Sequence, residues 1–145
     1  MASRFAQKPP AWFYIVGVIL LLWGIAGCWA CYQHITMGAA MIPNATDWDR
    51  AYFAALPGWF AIDFAVAVGA CLLGSVALLL RSKWALTLYW LSLIAVIIQF
   101  GYVFAATDMI AVKGVSSTFF PIFIFLLGVF HIWFATFAIK RGWLR

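Results

Sequence analysis

The sequence has very little charge and contains no glutamate at all. Only 9% of its 145 residues are Asp, Glu, Lys or Arg, whereas 68% are hydrophobic and 19% are aromatic. A soluble domain carries about 25% charged residues, so this chain has too few charges to cover a water-facing surface. The composition therefore excludes an ordinary soluble protein and indicates an integral membrane protein. The length predicts one domain over residues 1–145.

Cysteine is also scarce. Cys28, Cys31 and Cys71 form no framework of pairs and do not identify a redox compartment. Cys28 and Cys31 resemble the Cys-x-x-Cys of quinone-linked disulfide-generating enzymes, but the second cysteine pair of such enzymes is missing. A copper or zinc site at His34 would need additional ligands. We therefore expect no catalytic residue, no metal and no cofactor, and keep thiol/quinone redox chemistry as an alternative.

Four apolar runs are each long enough to cross a bilayer, which takes about 20 residues. They cover residues 11–32, 57–80, 84–107 and 119–139. They show no polar alternation, which excludes β-barrel strands. The first run is too long for a signal-peptide core and is expected to remain as a retained helix. The predicted fold is an all-α membrane protein, a four-helix antiparallel bundle.

The basic residues are distributed unequally over the two sides of these runs. One side carries Arg4, Lys8, Arg81, Lys83, Lys140, Arg141 and Arg145, and the other carries only Arg50 and Lys113. Because Lys and Arg accumulate in cytoplasmic segments, both termini are expected in the cytoplasm. The same bias explains the net charge of +5 without nucleic acid as a partner.

The long external loop, residues 33–56, is predicted to contain a short helix. Thr46 is a suitable helix cap, with Asp47 and Asp49 in the first turn. Large side chains then recur at helical spacing: Trp48, Tyr52, Phe53 and Leu56. This pattern predicts an amphipathic helix that lies on the outer interface of the membrane.

Polar side chains are few within the runs. Asp63 is the only acidic residue inside one, and an intramembrane carboxylate marks a candidate functional site. The predicted polar cleft for a solute consists of Asp63, Gln99, Tyr102 and Asp108. The simpler expectation for Asp63, which lies one to two turns below the outer interface, is that it reaches water or the loop residue Arg50. His131 is expected to form a hydrogen bond with Ser92, which lies at similar depth, and haem or quinone ligation by His131 is the alternative.

Small residues recur at four-residue spacing in the first two runs, a pattern typical of close helix packing in membranes. The predicted packing faces consist of Gly24, Gly27, Cys28 and Cys31, and of Ala61, Ala65, Gly69 and Gly74. The sequence leaves open whether the packing partner belongs to this chain or to another.

Several blocks resemble a family of small bacterial four-helix membrane proteins. They are Leu56-Pro57-Gly58-Trp59, Gly69 to Arg81 with Leu73-Gly74-Ser75, Lys83-Trp84-Ala85, Leu91-Ser92-Leu93 with Gln99 and Tyr102, and Arg141-Gly142-Trp143-Leu144-Arg145. The resemblance covers roughly residue 11 to the C-terminus and implies a location in a bacterial inner membrane. Members often carry the label "sugar transporter", and the family supplies no site residues to carry over. Asp63 lies outside the shared pattern.

Two main hypotheses for function follow. The first is a non-catalytic accessory or stabilising subunit, packed against a larger inner-membrane complex, because the chain combines few buried charges with many aromatic and small residues. The second is a small-solute transporter of the sugar type that acts as an oligomer, as the family label implies. Transporter sites use broken helices, and here only Pro121 interrupts a run. The expected partners are the lipid bilayer and other membrane subunits or further copies of the chain.

Overall fold

The computed structural model describes residues 7–145, which form helices and connecting turns without any β-strand in that range. The α-helices are α1 Ala11–Met37, α2 Asp47–Ala55, α3 Gly58–Leu79, α4 Trp84–Ala106, α5 Met109–Lys113 and α6 Phe119–Lys140, and 3₁₀ turns cover Gly38–Met41 and Val115–Thr118. Four helices, α1, α3, α4 and α6, are long and apolar enough to cross a membrane. The predicted all-α membrane bundle is confirmed, and the chain is an integral membrane protein.

The first long helix extends beyond its predicted end at residue 32. α1 continues to Met37, and the hydroxyl of Thr36 donates a hydrogen bond to the carbonyl of Tyr32 within this last part. Gly38 then ends the helix with a positive φ of 55°. Hydropathy indicates where a helix leaves the apolar layer of the membrane but not where the helix ends. The apolar run therefore ends near residue 32, although the helix continues through more polar residues to Met37.

Consecutive long helices run antiparallel, which brings both described chain ends to one end of the bundle. We name this the terminal end; it also contains the turn at residues 80–83. The opposite loop end contains residues 38–57 and 107–118. α3 packs against both α1 and α4, and α6 packs against α4.

The contacts between neighbouring helices are of two kinds. α1 approaches α3 closely at glycines, and Gly24 lies against the backbone of Leu72. α1 and α6 instead meet through aromatic rings. Phe13 and Phe134 stack with ring centroids 5.8 Å apart, and both side chains are almost fully buried. Aromatic rings thus fill the wider space between α1 and α6, whereas glycines allow α1 and α3 to approach closely.

The terminal end is closed by two helix-ending motifs and by the last residues of the chain. After α3, Arg81 has a φ of 60°, and the N–H of Ser82 donates to the carbonyl of Ala77. After α6, Gly142 has a φ of 76° and the N–H of Trp143 donates to the carbonyl of Ala138. Both arrangements are Schellman motifs, in which a left-handed residue satisfies the final helix carbonyls.

The side chain of Arg81 connects these two ends. Its Nε donates to the carbonyl of Trp143 at 2.8 Å, and its terminal nitrogen donates to the carbonyl of Gln7 at 2.6 Å. The N–H of Arg145 donates to the carbonyl of Arg81 at 2.7 Å, and Leu144 is 1% exposed. The C-terminal residues are therefore held by the bundle itself.

Candidate functional site

The loop end is organised by α2, the predicted external helix. The hydroxyl of Thr46 accepts a hydrogen bond from the N–H of Asp49, and the carboxylate of Asp49 accepts one from the N–H of Thr46 at 2.8 Å. This reciprocal pair is a capping box, which satisfies two otherwise unpaired N–H groups. The predicted cap at Thr46 is therefore confirmed.

Three side-chain contacts connect α2 to the segment after α4. The indole Nε1 of Trp48 donates to the carboxylate of Asp108 at 2.8 Å. The ammonium of Lys113 lies 2.8 Å from Asp49 Oδ1, and it also lies over the Trp48 ring at 5.3 Å from its centroid. The hydrogen bond from Lys113, together with that from the N–H of Thr46, lowers the pKa of Asp49 to about 2. These contacts join the two loops of the loop end.

Between α2 and the end of α4 lies a recess of about 530 Å³ that opens outward, which we name the loop-end recess. Its polar lining comes from Trp48, Tyr52, Tyr102, Thr107 and Asp108, and alanines form much of the rest. Trp48 and Tyr52 stack at 5.2 Å. Burial and the neighbouring Tyr102 raise the pKa of Tyr52 to about 12, so its hydroxyl stays protonated and can donate a hydrogen bond.

The four residues of the predicted polar cleft lie in three different places. Tyr102 and Asp108 both line the loop-end recess. Gln99 is 7% exposed and belongs to the bundle interior. Asp63 lines a separate groove. The recess also contains Trp48 and Tyr52 of α2, which the predicted cleft did not include. Their helical spacing in the loop was the sequence feature that could have indicated them.

Asp63 lies in an outward-facing groove of about 290 Å³ between α3 and α4, which we name the Asp63 groove. Its other lining residues are Trp59, Ile62, Val66, Leu91, Ile94, Ala95 and Ile98. Asp63 Oδ2 is buried and has no hydrogen-bond partner among the residues that the structure describes. The expected pairing with Arg50 is wrong, because the guanidinium of Arg50 bonds to Asp47 at 2.5 Å and to the carbonyl of Ala45 at 3.0 Å.

A polar cluster lies inside the bundle where α3, α4 and α6 meet. Tyr89 and Ser75 share a hydrogen bond of 2.8 Å, and the His131 ring packs on Tyr89 with centroids 4.8 Å apart. His131 Nδ1 lies 2.5 Å from the carbonyl of Leu127, and Nε2 lies 3.5 Å from Cys71 Sγ. A carbonyl only accepts, so Nδ1 carries the hydrogen; in the neutral ring Nε2 then accepts from the Cys71 thiol.

The expected hydrogen bond between His131 and Ser92 does not form. The hydroxyl of Ser92 donates to the carbonyl of Ala67 on α3 at 2.7 Å, which joins α3 and α4 at another level. Sequence reasoning had found His131 and its depth but not Cys71, Ser75 and Tyr89 as its neighbours. These neighbours could have been predicted from the sequence, because polar residues occur at matching depths on the three helices.

The rings of both histidines are already surrounded by other side chains and carbonyls of this chain. Both ring nitrogens of His131 have partners, so ligation of haem iron would require one of these contacts to break. His34 lies among the rings of Phe53, Phe60 and Phe64, with centroids 5.2 to 5.6 Å away. Within residues 7–145 no group of three or more His, Cys, Asp or Glu side chains has a geometry that could hold a metal ion.

The predicted small-residue faces have different surroundings. Gly24 and Gly27 contact α3 at Leu72 and Val68, and Gly74 contacts α4 at Tyr89. On the same face of α1 as these glycines, Cys28 Sγ lies 3.8 Å from the carbonyl of Val68, and Cys31 is 5% exposed. All three cysteines are free thiols.

The stripe on α3 formed by Ala61, Ala65 and Gly69 remains on the outer surface. Ala65 is exposed, and a Cβ on Gly69 would meet nothing within 4 Å. The small residues of α1 therefore pack within the chain, whereas this stripe is not used by the bundle.

Comparison with known proteins gives no similar protein: no family model, no curated protein and no solved structure matches the chain. The resemblance to small four-helix membrane proteins therefore stays a prediction. The site has to be judged from its own geometry. Cys71 pairs with His131 and Ser75 with Tyr89 inside the bundle, whereas the buried Oδ2 of Asp63 has no partner within residues 7–145.

Proposed function

We propose that the protein is a non-catalytic accessory subunit that stabilises a larger assembly in a bacterial inner membrane, with both termini in the cytoplasm. One observation carries this proposal. Asp63 lines an outward groove between two membrane-spanning helices, and its buried Oδ2 has no hydrogen-bond partner among residues 7–145. A polar group in lipid without a hydrogen bond costs about 2–7 kcal/mol, so a helix from another chain that supplies a donor would stabilise it.

The interior of the bundle supports a structural role. Its central polar groups, Cys71 with His131 and Ser75 with Tyr89, bond to each other across helices. Such pairs stabilise helix association in membranes by roughly 0.6 kcal/mol each. A transport pathway would instead present polar groups to a cavity. The small-residue stripe on α3 adds a surface on which a further helix can approach closely.

Purification of the native protein in mild detergent, followed by size measurement and mass spectrometry, tests this proposal. We expect the chain to migrate in a stoichiometric complex with at least one other membrane protein. Asp63→Leu should weaken that complex, while Asp108→Asn, which changes an acid outside the groove, should leave it intact. Recovery of the native chain only as a monomer or homodimer would rule out the accessory-subunit function.

The loop-end recess favours a second candidate function, binding of a small solute for transport by an oligomer. Tyr52, Tyr102 and Asp108 all line the recess, and its volume of about 530 Å³ suits a small ligand. Uptake of labelled sugars into proteoliposomes tests this alternative. Uptake that Asp108→Asn and Tyr102→Phe both abolish would support it, and absence of uptake by the oligomeric protein would exclude sugars as its substrates.

A further inference from the structure

The Asp63 groove differs from the rest of the bundle surface because it combines an apolar wall with one acid. Asp63 lies five residues after Gly58, where α3 begins, hence ~8 Å along the helix from the loop end. The apolar wall consists of Ile62 and Val66 on α3 and of Ile94, Ala95 and Ile98 on α4. Intramembrane acids pair with other groups and mark functional sites.

The described cations of this chain do not reach Asp63. At the loop end, Arg50 is bound to Asp47 and Lys113 is bound to Asp49. The other described basic residues, Lys8, Arg81, Lys83, Lys140, Arg141 and Arg145, lie at the terminal end or next to it. Oδ2 of Asp63 is accordingly without a donor in residues 7–145. A protein donor for the Asp63 carboxyl group therefore has to come from outside residues 7–145.

The size and lining of the groove indicate what enters it. The groove is open to the outside, and its volume of about 290 Å³ leaves room for a long side chain of a neighbouring helix. Apart from Trp59 and Asp63 its walls are aliphatic, so the stem of that side chain is apolar, and its end must donate to a carboxyl group. Lys and Arg combine an apolar stem with a cationic end, and a cationic donor forms a stronger, charge-assisted hydrogen bond to a carboxylate than a neutral donor does.

We propose that the Asp63 groove receives a membrane-spanning helix of another protein, which places one Lys or Arg side chain against the Asp63 carboxylate. This proposal rests on the proposed function, because it names the chemistry of the partner at the same groove. The partner helix lies against α3 and α4, and its basic residue sits ~8 Å from the loop end. The charge pair selects a partner by depth as well as by sign, since a cation at another level would remain unpaired in lipid.

Synthetic membrane-spanning peptides of leucine and alanine with tryptophan flanks test this chemistry directly. One peptide carries a single Lys at the depth of Asp63, a second carries Leu at that position, and a third carries the Lys near the opposite end. The full-length protein is labelled with a fluorescent donor and the peptides with an acceptor, and energy transfer is measured in phosphatidylcholine vesicles. The peptide with Lys at the matching depth should bind about threefold to tenfold more tightly than either control.

Variants of the protein identify the contact. Asp63→Asn should lower the affinity for the matching peptide to the level of the Leu control, and Asp47→Asn, which changes an exposed acid of α2, should leave it unchanged. Equal binding of all three peptides, or an affinity that Asp63→Asn does not alter, would overturn the proposal. Self-association that requires Asp63 and excludes the Lys peptide would also overturn it, because the occupant would then be a second copy of the chain.

The two proposals fail in different ways. A native complex that persists in the Asp63→Asn variant, with no selective binding of the Lys peptide, would refute the charge pair and leave the accessory function standing. Selective, Asp63-dependent peptide binding without any native complex would support the groove chemistry and refute the accessory function.

Discussion

Gly24 of α1 lies directly against the backbone of Leu72 in α3: a Cβ on Gly24 would come within 2.9 Å of Leu72 Cα. The nearest atoms belong to the backbone of Leu72 and, unlike a side chain, cannot move away by a change of rotamer. Gly27 one turn later makes a similar approach to Val68, where a Cβ would lie 3.0 Å from Cγ1. Small residues that permit close backbone contact are a principal source of helix association in lipid, so this contact positions α1.

We predict that Gly24→Ala destabilises the protein by about 1–3 kcal/mol, the usual cost of overpacking. Gly69→Ala is the matched control, because its Cβ would enter open space and alanine favours a helix over glycine by up to about 1 kcal/mol. Thermal unfolding in detergent measures both variants. If Gly24→Ala were no more destabilising than Gly69→Ala, the close contact between α1 and α3 at Gly24 would be contradicted.

The second prediction concerns His131 and Cys71. Replacing His131 by Leu removes the hydrogen bonds to Cys71 and Leu127 and should destabilise the bundle by about 1–2 kcal/mol, since each such bond in a membrane is worth roughly 0.6 kcal/mol and the changed shape adds to the loss. Unfolding in detergent is again the measurement. Cys71→Ser keeps a donor at the same position and should cost less than Cys71→Val.

A double-mutant cycle distinguishes a direct bond from two independent effects. If Cys71 donates to His131, the loss in the His131→Leu, Cys71→Val double variant should be smaller than the sum of the single losses. Strict additivity would contradict the bond. Ser92→Ala, which removes a separate hydrogen bond to Ala67, should be additive with His131→Leu.

The third prediction is a pH dependence of the loop end. The pKa of Asp49 is lowered from its ordinary value of 3.8 to about 2 in the folded protein by hydrogen bonds from Lys113 and Thr46. A lowered folded pKa means that the carboxylate stabilises the loop end above pH 3.8 and that this contribution is lost as the pH falls through about 2.

Hydrogen exchange of residues 46–55, read by mass spectrometry between pH 2 and 5, measures this loss. After correction for the intrinsic pH dependence of exchange, protection should fall as the pH is lowered. Asp49→Asn should reduce protection at pH 5 and flatten its pH dependence, whereas Asp47→Asn, at an exposed position beside Arg50, should retain it. An unchanged profile in the Asp49 variant would contradict this role of the carboxylate.

The fourth prediction separates the two roles of Arg81. Its backbone is in the left-handed region, with a φ of 60°, and its guanidinium bonds to Trp143 and Gln7. Arg81→Gly relieves the backbone strain and removes the guanidinium, whereas Arg81→Ala removes the guanidinium and retains most of the strain. The alanine variant should therefore be less stable than the glycine variant by about 1–2 kcal/mol.

Both Arg81 variants should speed hydrogen exchange at residues 143–145, because each loses the contact with Trp143. Exchange that is unaffected in either variant would mean that the C-terminal residues are held by their apolar contacts alone. Lys83→Ala is a suitable control, since that side chain makes no hydrogen bond or ion pair within residues 7–145 and its backbone bond to Arg145 would be retained.

The sequence was sufficient to predict the spans and the capped loop helix. Twenty or so apolar residues can satisfy their backbone in lipid only as a helix, so α3, α4 and α6 begin and end within a residue of their predicted bounds. The capping box at Thr46 and Asp49 is a local interaction within four residues, and local interactions can be recognised in a sequence. The same residues also indicated where α2 begins.

The rotation of each helix about its own axis was decided by the tertiary structure. In a soluble helix the apolar stripe marks the buried face, but these spans are apolar on every side, and no stripe shows which way Asp63, Gln99 or His131 points. Glycine contacts and aromatic rings set the rotations instead. They turn His131 inward to Cys71, bury Gln99 and leave Asp63 in an outward groove. The sequence by itself thus determined that four helices cross the membrane; only their packing decided which polar groups meet, because close fit and not hydrophobicity distinguishes one face from another in lipid.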